Sequence, residues 1–148
     1  MAAINPYINF KGNCEEAFTF YKSVFGGEFQ YVGRYKDMPP SEGDHAEAID
    51  GEKIMHISLP ISKETSLMGS DVGGEWAQKI AIGDNIQISY NADSIDDAHR
   101  IFSGLAEGGR INMPLEKTFW GALFGMLTDR FGINWMVNFD FSQEENKS

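Results

Sequence analysis

The stretch MPLEKTFWGALFGMLTDRFGINWMVNF (Met113–Phe139) decides the fold. It parses as three short strands: aromatic and β-branched runs broken by Gly121 and by Thr128-Asp129-Arg130-Phe131-Gly132, the signature of consecutive hairpins. The last run alternates. Ile133, Trp135, Val137 and Phe139 fall on one face, and Asn134, Met136 and Asn138 fall on the other. One side of this sheet therefore packs on a core, and the other is polar yet uncharged.

Working outward, the same order of signals occurs twice. Ile4–Phe10 reads as a strand, with Ile8 and Phe10 opposite Tyr7 and Asn9. Asn13 follows as a helix N-cap with Glu16 as capping-box partner. Cys14, Ala17, Phe18, Tyr21, Val24 and Phe25 then form an apolar stripe, and Gly26-Gly27 ends the helix. Glu28–Tyr35 reads as the next strand. In the second half, Asn85–Asn91 alternates as a strand and Ser94 is the N-cap with Asp97 at the third helical position. Ala98, Ile101, Phe102 and Leu105 are the stripe, Gly108-Gly109 is the stop, and Arg110–Met113 opens a new strand. The two Gly-Gly pairs stand 82 positions apart. Between the copies, Lys53–Leu59 alternates Met55, Ile57 and Leu59 against Ile54, His56 and Ser58, and Thr65–Gly69 supplies a further strand. Asp37–Glu52 is an insertion, Asp71–Asp84 a Gly-rich connection, and Gln143–Ser148 a frayed polar end. A βαβββ unit cannot bury its helix stripe and its sheet face alone, so two copies pair.

At 148 residues the chain suits one domain or two half-domains sharing a core, and Phe 11, Tyr 5 and Trp 3 supply buried area. The single cysteine, Cys14, excludes an internal disulfide and fits a reducing, cytoplasmic setting. No leader is evident at Met1-Ala2-Ala3, and no apolar run reaches the roughly 20 residues that span a bilayer. The net charge of −10 with scattered Lys and Arg argues against nucleic acid. It serves solubility first and attraction of a cationic small molecule second.

The segments Pro6–Phe10, Gly12–Ala17, Phe20–Gly27, Ile54–His56, Leu67–Asp71, Thr118–Gly121 and Phe124–Asp129, with Gly132 and Asn134–Met136, carry a resemblance. The chain resembles the vicinal oxygen chelate superfamily (glyoxalase, bleomycin resistance, dioxygenase). Within it, the chain is similar to the PhnB-like group, also labelled demethylubiquinone methyltransferase-like. The resemblance covers most of residues 4–139. It implies an α+β fold of two paired βαβββ modules, about 4–71 and 85–140, forming a curled eight-stranded mixed sheet around a cavity. The expected organisation is a single domain over 1–140 with a polar tail over 141–148, in a protein that is often a homodimer. Fold alone does not fix the chemistry. The methyltransferase label finds no support, because no Gly-rich strand–helix nucleotide crossover is present.

Catalytic members of that superfamily hold a divalent metal through His, Gln or Glu side chains. The positions matching those ligands fall at Asn5 or Pro6, near Gln87 and at Met136. A neutral set of this kind is poorly matched to a hard dication, so the expectation is no metal and no cofactor. His56 is the candidate catalytic residue, as a general base or a single metal ligand. Its competing reading is a hydrogen-bonding residue of the ligand surface, and pairing with His45 or Glu47 is a further option. Cys14 reads as packed, His99 as surface, and Phe119 and Trp120 as an aromatic wall or a core or dimer contact. The reading is a binder of a small organic molecule through Tyr7, Asn9, His56, Gln87, Ser89, Trp120, Asn134 and Met136, with no nucleic-acid or membrane partner. Two alternatives stay open: a metal-dependent lyase, isomerase or dioxygenase, and an oligomeric scaffold whose cavity is filled by Trp120, Trp135 and Phe124.

Overall fold

A computed structural model describes residues 2–37, 50–73 and 75–142, apart from the side chains of Glu75 and Trp76. The insertion at 38–49, with His45 and Glu47, and the end of the chain at 143–148 lie outside the described residues. The chain divides into two compact units, Met1–Ile82 and Gly83–Ser148. The first contains β1 (Tyr7–Phe10), α1 (Cys14–Phe25), β2 (Tyr31–Arg34), β3 (Ile54–Pro60), β4 (Ser66–Asp71) and a short α2 (Glu75–Lys79). The second contains β5 (Ile88–Asn91), α3 (Ile95–Ala106), β6 (Arg110–Lys117), β7 (Ala122–Thr128) and β8 (Asn134–Asp140). The eight strands form two four-stranded mixed sheets, ordered β1-β4-β3-β2 and β5-β8-β7-β6, and neither closes. In each, the first strand lies parallel to the last and the other pairs are antiparallel.

Each helix buries its stripe on one face of its own sheet. Cys14, Ala17, Phe18, Tyr21 and Val24 of α1 are buried, as are Phe10, Ile57, Leu59 and Leu67 of sheet one. Phe18 lies edge-on to both Phe10 and Tyr21, a favoured arrangement of aromatic quadrupoles. In the second unit, Ala98, Ile101, Phe102 and Leu105 of α3 and Leu123, Leu127, Trp135, Val137 and Phe139 of sheet two are buried. The alternation of β8 holds, with Asn134, Met136 and Asn138 half-buried on the opposite face.

Five expectations shift at the level of single elements. The strand expected over Glu28–Tyr35 is confined to Tyr31–Arg34, and the one expected over Asn85–Asn91 to Ile88–Asn91. Asp71, read as the start of a loop, is the last residue of β4 and is 1% exposed. The alternation over Lys53–Leu59 breaks at Met55. Gly33 pairs with His56 and Arg34 with Ile54, so Met55 is the extra residue of a β-bulge, and Ile54 returns to the buried side. Finally, Asn13 makes no side-chain cap bond to α1, a difference explained by Asp71.

The Asp71 carboxylate accepts from Gly12 N–H (3.0 Å), Cys14 N–H (2.9 Å) and, through its other oxygen, Ile54 N–H (2.9 Å). A charged acceptor delivered from the end of β4 thus does what a local cap does elsewhere, and favours the positive end of the helix. Gly26 ends α1 at φ 83°, with its N–H on the Lys22 carbonyl, as the Gly-Gly signal implies. In α3 the cap is local, since Ser94 Oγ accepts from Asp97 N–H at 3.0 Å. Replacing Ser94 by Ala is expected to cost about 1 kcal/mol in urea denaturation, and an unchanged midpoint would rule out that bond as a support of α3.

Candidate functional site

The side of sheet one turned away from α1 follows from the register. Tyr7 pairs with Met68, Met68 with Ser58 and Ser58 with Tyr31 across all four strands. Asn9 pairs with Ser70, and Gly33 with His56, in the neighbouring row. None of these eight residues is Lys, Arg, Asp or Glu, so the face is polar without carrying fixed charge. His56 stands at its centre, half-buried. Its ring stacks on Tyr7 (centroids 5.6 Å, planes 27° apart) and lies tilted against Tyr31 at 5.6 Å. Tyr7 Oη and His56 Nδ1 are 3.2 Å apart, a hydrogen bond that fixes the ring's orientation.

Tyr7 and Tyr31 are 45% and 49% exposed, so the rings flank His56 with their outer faces accessible. The absent side chain of Gly33 makes this possible. A Cβ there would lie 2.7 Å from Tyr31 Oη, so the tyrosine ring occupies the space above the glycine. Deeper in the row, Ser70 Oγ donates to Asn9 Oδ1 at 3.3 Å. Tyr31 is a member of this cluster that pattern reading missed. The signal was present, since Tyr31 and Gly33 alternate two apart, but their pairing with His56 depends on the register set at the Met55 bulge.

The remaining expected site residues belong to the second unit. Ser89 pairs with Met136, and Met136 with Met126, on the side of sheet two away from α3, and Asn134 shares that face. Gln87 immediately precedes β5. Its Oε1 is buried and accepts no hydrogen bond from the described residues. Trp120 sits in the β6–β7 turn, 58% exposed, against Phe119 (5.0 Å) and Phe124 (5.9 Å). Trp135 does not join them. It lies on the α3 side, 2% exposed, with Nε1–H donated to Asp129 Oδ2 at 2.9 Å, so the filling of one cavity by Trp120, Trp135 and Phe124 together loses a member. Cys14 is fully buried and burial pushes its thiol far up, which removes it as a nucleophile. His99 is exposed on α3.

The donors at the positions matching a metal site do not suit a hard divalent ion. The Asn5 amide oxygen is already engaged by Ser66 N–H at 2.9 Å, Pro6 has no donor, and Met136 offers a soft thioether. Among the described residues no three His, Cys, Asp or Glu side chains stand together as a metal-holding group.

Two sheets of equivalent order, each packed on the helix between its first and second strands, define the paired βαβββ class. The chain belongs to the Glyoxalase/Bleomycin resistance protein/Dioxygenase superfamily, whose family model matches residues 3–137. It is 30% identical over 137 residues to protein YjdN of Escherichia coli, covering 91% of this chain and 93% of that protein. The crystal structure of protein PA1353 from Pseudomonas aeruginosa matches with a TM-score of 0.78 and 41% identity, covering 95% of this chain and 98% of that one. The fold is also that of the PhnB protein from Bacillus cereus, at TM-score 0.70 and 23% identity over 93% of this chain and 99% of that one. The resemblance to the PhnB-like group agrees with this likeness. No helix among the described residues is long and apolar enough to cross a membrane.

Proposed function

We propose that the chain binds a small organic molecule with a flat apolar surface, and that it holds this ligand without a resident divalent metal. The observation that carries the reading is His56, oriented by Tyr7 and flanked by Tyr31 on a sheet face without fixed charge. Two accessible tyrosine rings supply stacking surface, while an imidazole, amides and hydroxyls supply a few directed hydrogen bonds, the usual composition of a small-molecule site. General-base chemistry at His56 is the second reading, favoured by the same Tyr7 contact, which would hold the ring for proton transfer. A cytoplasmic homodimer completes the proposal. The exposed edge strand β6, with Ile111 on it and Phe119 97% exposed just beyond, is the surface that a second copy would cover.

A panel of neutral aromatic and heteroaromatic compounds, screened by thermal shift on the purified protein, tests the binding reading. A compound that raises the Tm is expected to bind at least about tenfold more weakly to the Tyr31→Ala and His56→Ala variants, as removal of central aromatic anchors does. Equal affinity in both variants would place the ligand elsewhere. A stoichiometric transition metal in protein purified without chelator would sink the metal-free reading in favour of the enzymatic one.

A further inference from the structure

We infer that the open face of sheet two carries a site for an organic carboxylate, with Arg110 as its anion-reading residue. This goes beyond the reading at His56 and rests on it only for the premise that the chain binds small organic molecules.

The argument starts from a one-way chain of hydrogen bonds across three strands. Arg110 Nε–H donates to Asn112 Oδ1 (2.8 Å), Asn112 Nδ2–H to Thr128 Oγ1 (2.9 Å), and Thr128 Oγ1–H to Asn134 Oδ1 (2.7 Å). Every link uses a donor on one residue and an acceptor on the next, so the polarity of the whole chain is fixed. Its two ends are therefore both donors: the two Nη groups of Arg110 and the Nδ2 group of Asn134. Neither end has a partner among the described residues.

The chain has 22 acidic residues and a net charge of −10, yet no carboxylate among the described residues forms an ion pair with Arg110. Arg34 and Arg100 are both committed to carboxylates, Glu15 and Asp97. Arg110 instead has its guanidinium plane set by a neutral amide through Nε, which leaves the Nη edge available. A guanidinium edge oriented in this way matches the two oxygens of a carboxylate. Overall charge favours a cationic ligand, but the local donors favour the opposite. Beside the chain runs a row of thioethers: Met113 pairs with Met126 and Met126 with Met136. Unbranched, polarizable side chains form an adaptable bed for an apolar body. Arg110 and Asn134 are two strands apart, roughly 10 Å. The ligand class is thus a carboxylate with an apolar, preferably aromatic, body and a second acceptor at its far end.

Benzoate is the minimal probe, followed by NMR of the arginine Nε–Hε and asparagine side-chain amide signals. The expected result is saturable perturbation of the Arg110 signal in the full chain, with benzamide weaker by about tenfold or more, as loss of a charge-assisted pair implies. Arg110→Lys keeps the charge but loses the fork, and is expected to weaken benzoate similarly. Asn112→Ala leaves the guanidinium in place but unpositioned. It is expected to weaken benzoate several-fold and to speed exchange of the Arg110 Nε proton, which mere loss of stability would not do selectively. Both variants alter exposed residues, and unchanged melting confirms that they fold. Benzoate binding that Arg110→Lys leaves intact overturns the inference. If benzoate fails while the neutral aromatic panel still responds through His56 and Tyr31, this inference alone falls. If neither probe binds, both fall.

Discussion

Replacing Asp71 by Ala is expected to remove about 3–5 kcal/mol of stability, a large share of the roughly 5–15 kcal/mol that a domain commonly has. The carboxylate is 1% exposed and accepts three backbone N–H groups, those of Gly12, Cys14 and Ile54. Truncation leaves three donors without partners at the start of α1 and at the bulged end of β3, and buried unpaired groups cost more than the bonds themselves gain. The Tyr35 hydroxyl donates to the Asp71 backbone carbonyl at 2.7 Å, a bond that the Ala variant keeps, so the loss reports the carboxylate alone. Asp71→Asn retains one acceptor oxygen and is expected to lose clearly less. Urea denaturation decides the matter: a midpoint shift at unchanged slope is expected. A loss below about 1 kcal/mol for the Ala variant would mean that water replaces the carboxylate and that the cap is incidental.

The second large effect is expected at Asp129, in the β7–β8 hairpin. Its Oδ1 accepts from Phe131 N–H (2.8 Å) and Ile133 N–H (3.0 Å), which closes the turn, while Oδ2 takes the indole N–H of Trp135. Trp135 is the largest side chain packed under α3 from this sheet, and its N–H has no water to turn to if Asp129 is lost. Asp129→Ala is expected to cost about 2–4 kcal/mol. Trp135→Phe removes the donor while keeping an aromatic ring, so the double variant isolates the indole–carboxylate bond from the turn. A favourable coupling of about 1 kcal/mol or more is expected between the two sites. Strict additivity would show that Asp129 acts through the turn alone.

These two acidic residues also show where a sequence stops being legible. Ser94 could be read as a cap because its partner, Asp97 N–H, is three residues away. Asp71 could not, because the N–H groups it serves are 57 and 59 positions earlier in the chain. Asn13, the residue with the right local chemistry, is displaced by a charged acceptor that only the parallel pairing of β1 with β4 brings to the helix end. The bulge at Met55 has the same character. Alternation predicts the faces of β3 correctly from His56 to Leu59 and fails at Ile54, where one extra residue shifts the phase.

The site divides in the same way. His56 was legible as a residue of the open face because it alternates with Ile57, and Tyr7 because it alternates with Ile8. Tyr31 was not, since its place beside His56 follows from antiparallel register and from the missing Cβ of Gly33. Periodicity shows Arg110 only as the first residue of a strand. Its unpaired edge becomes visible once Asn112, Thr128 and Asn134 are brought into one chain across β6, β7 and β8.

By itself the sequence determined the repeated strand–helix–strand order, the buried stripe of each helix, the alternation of β8 and the family. All of these are encoded in periodicity and in short runs of contiguous residues, because helix and strand geometry repeat every few positions. Tertiary structure alone decided which groups complete α1, where β3 changes face and which donors stand open on each sheet. Those depend on strand register, and register joins residues that are neighbours in space while lying tens of positions apart in the chain.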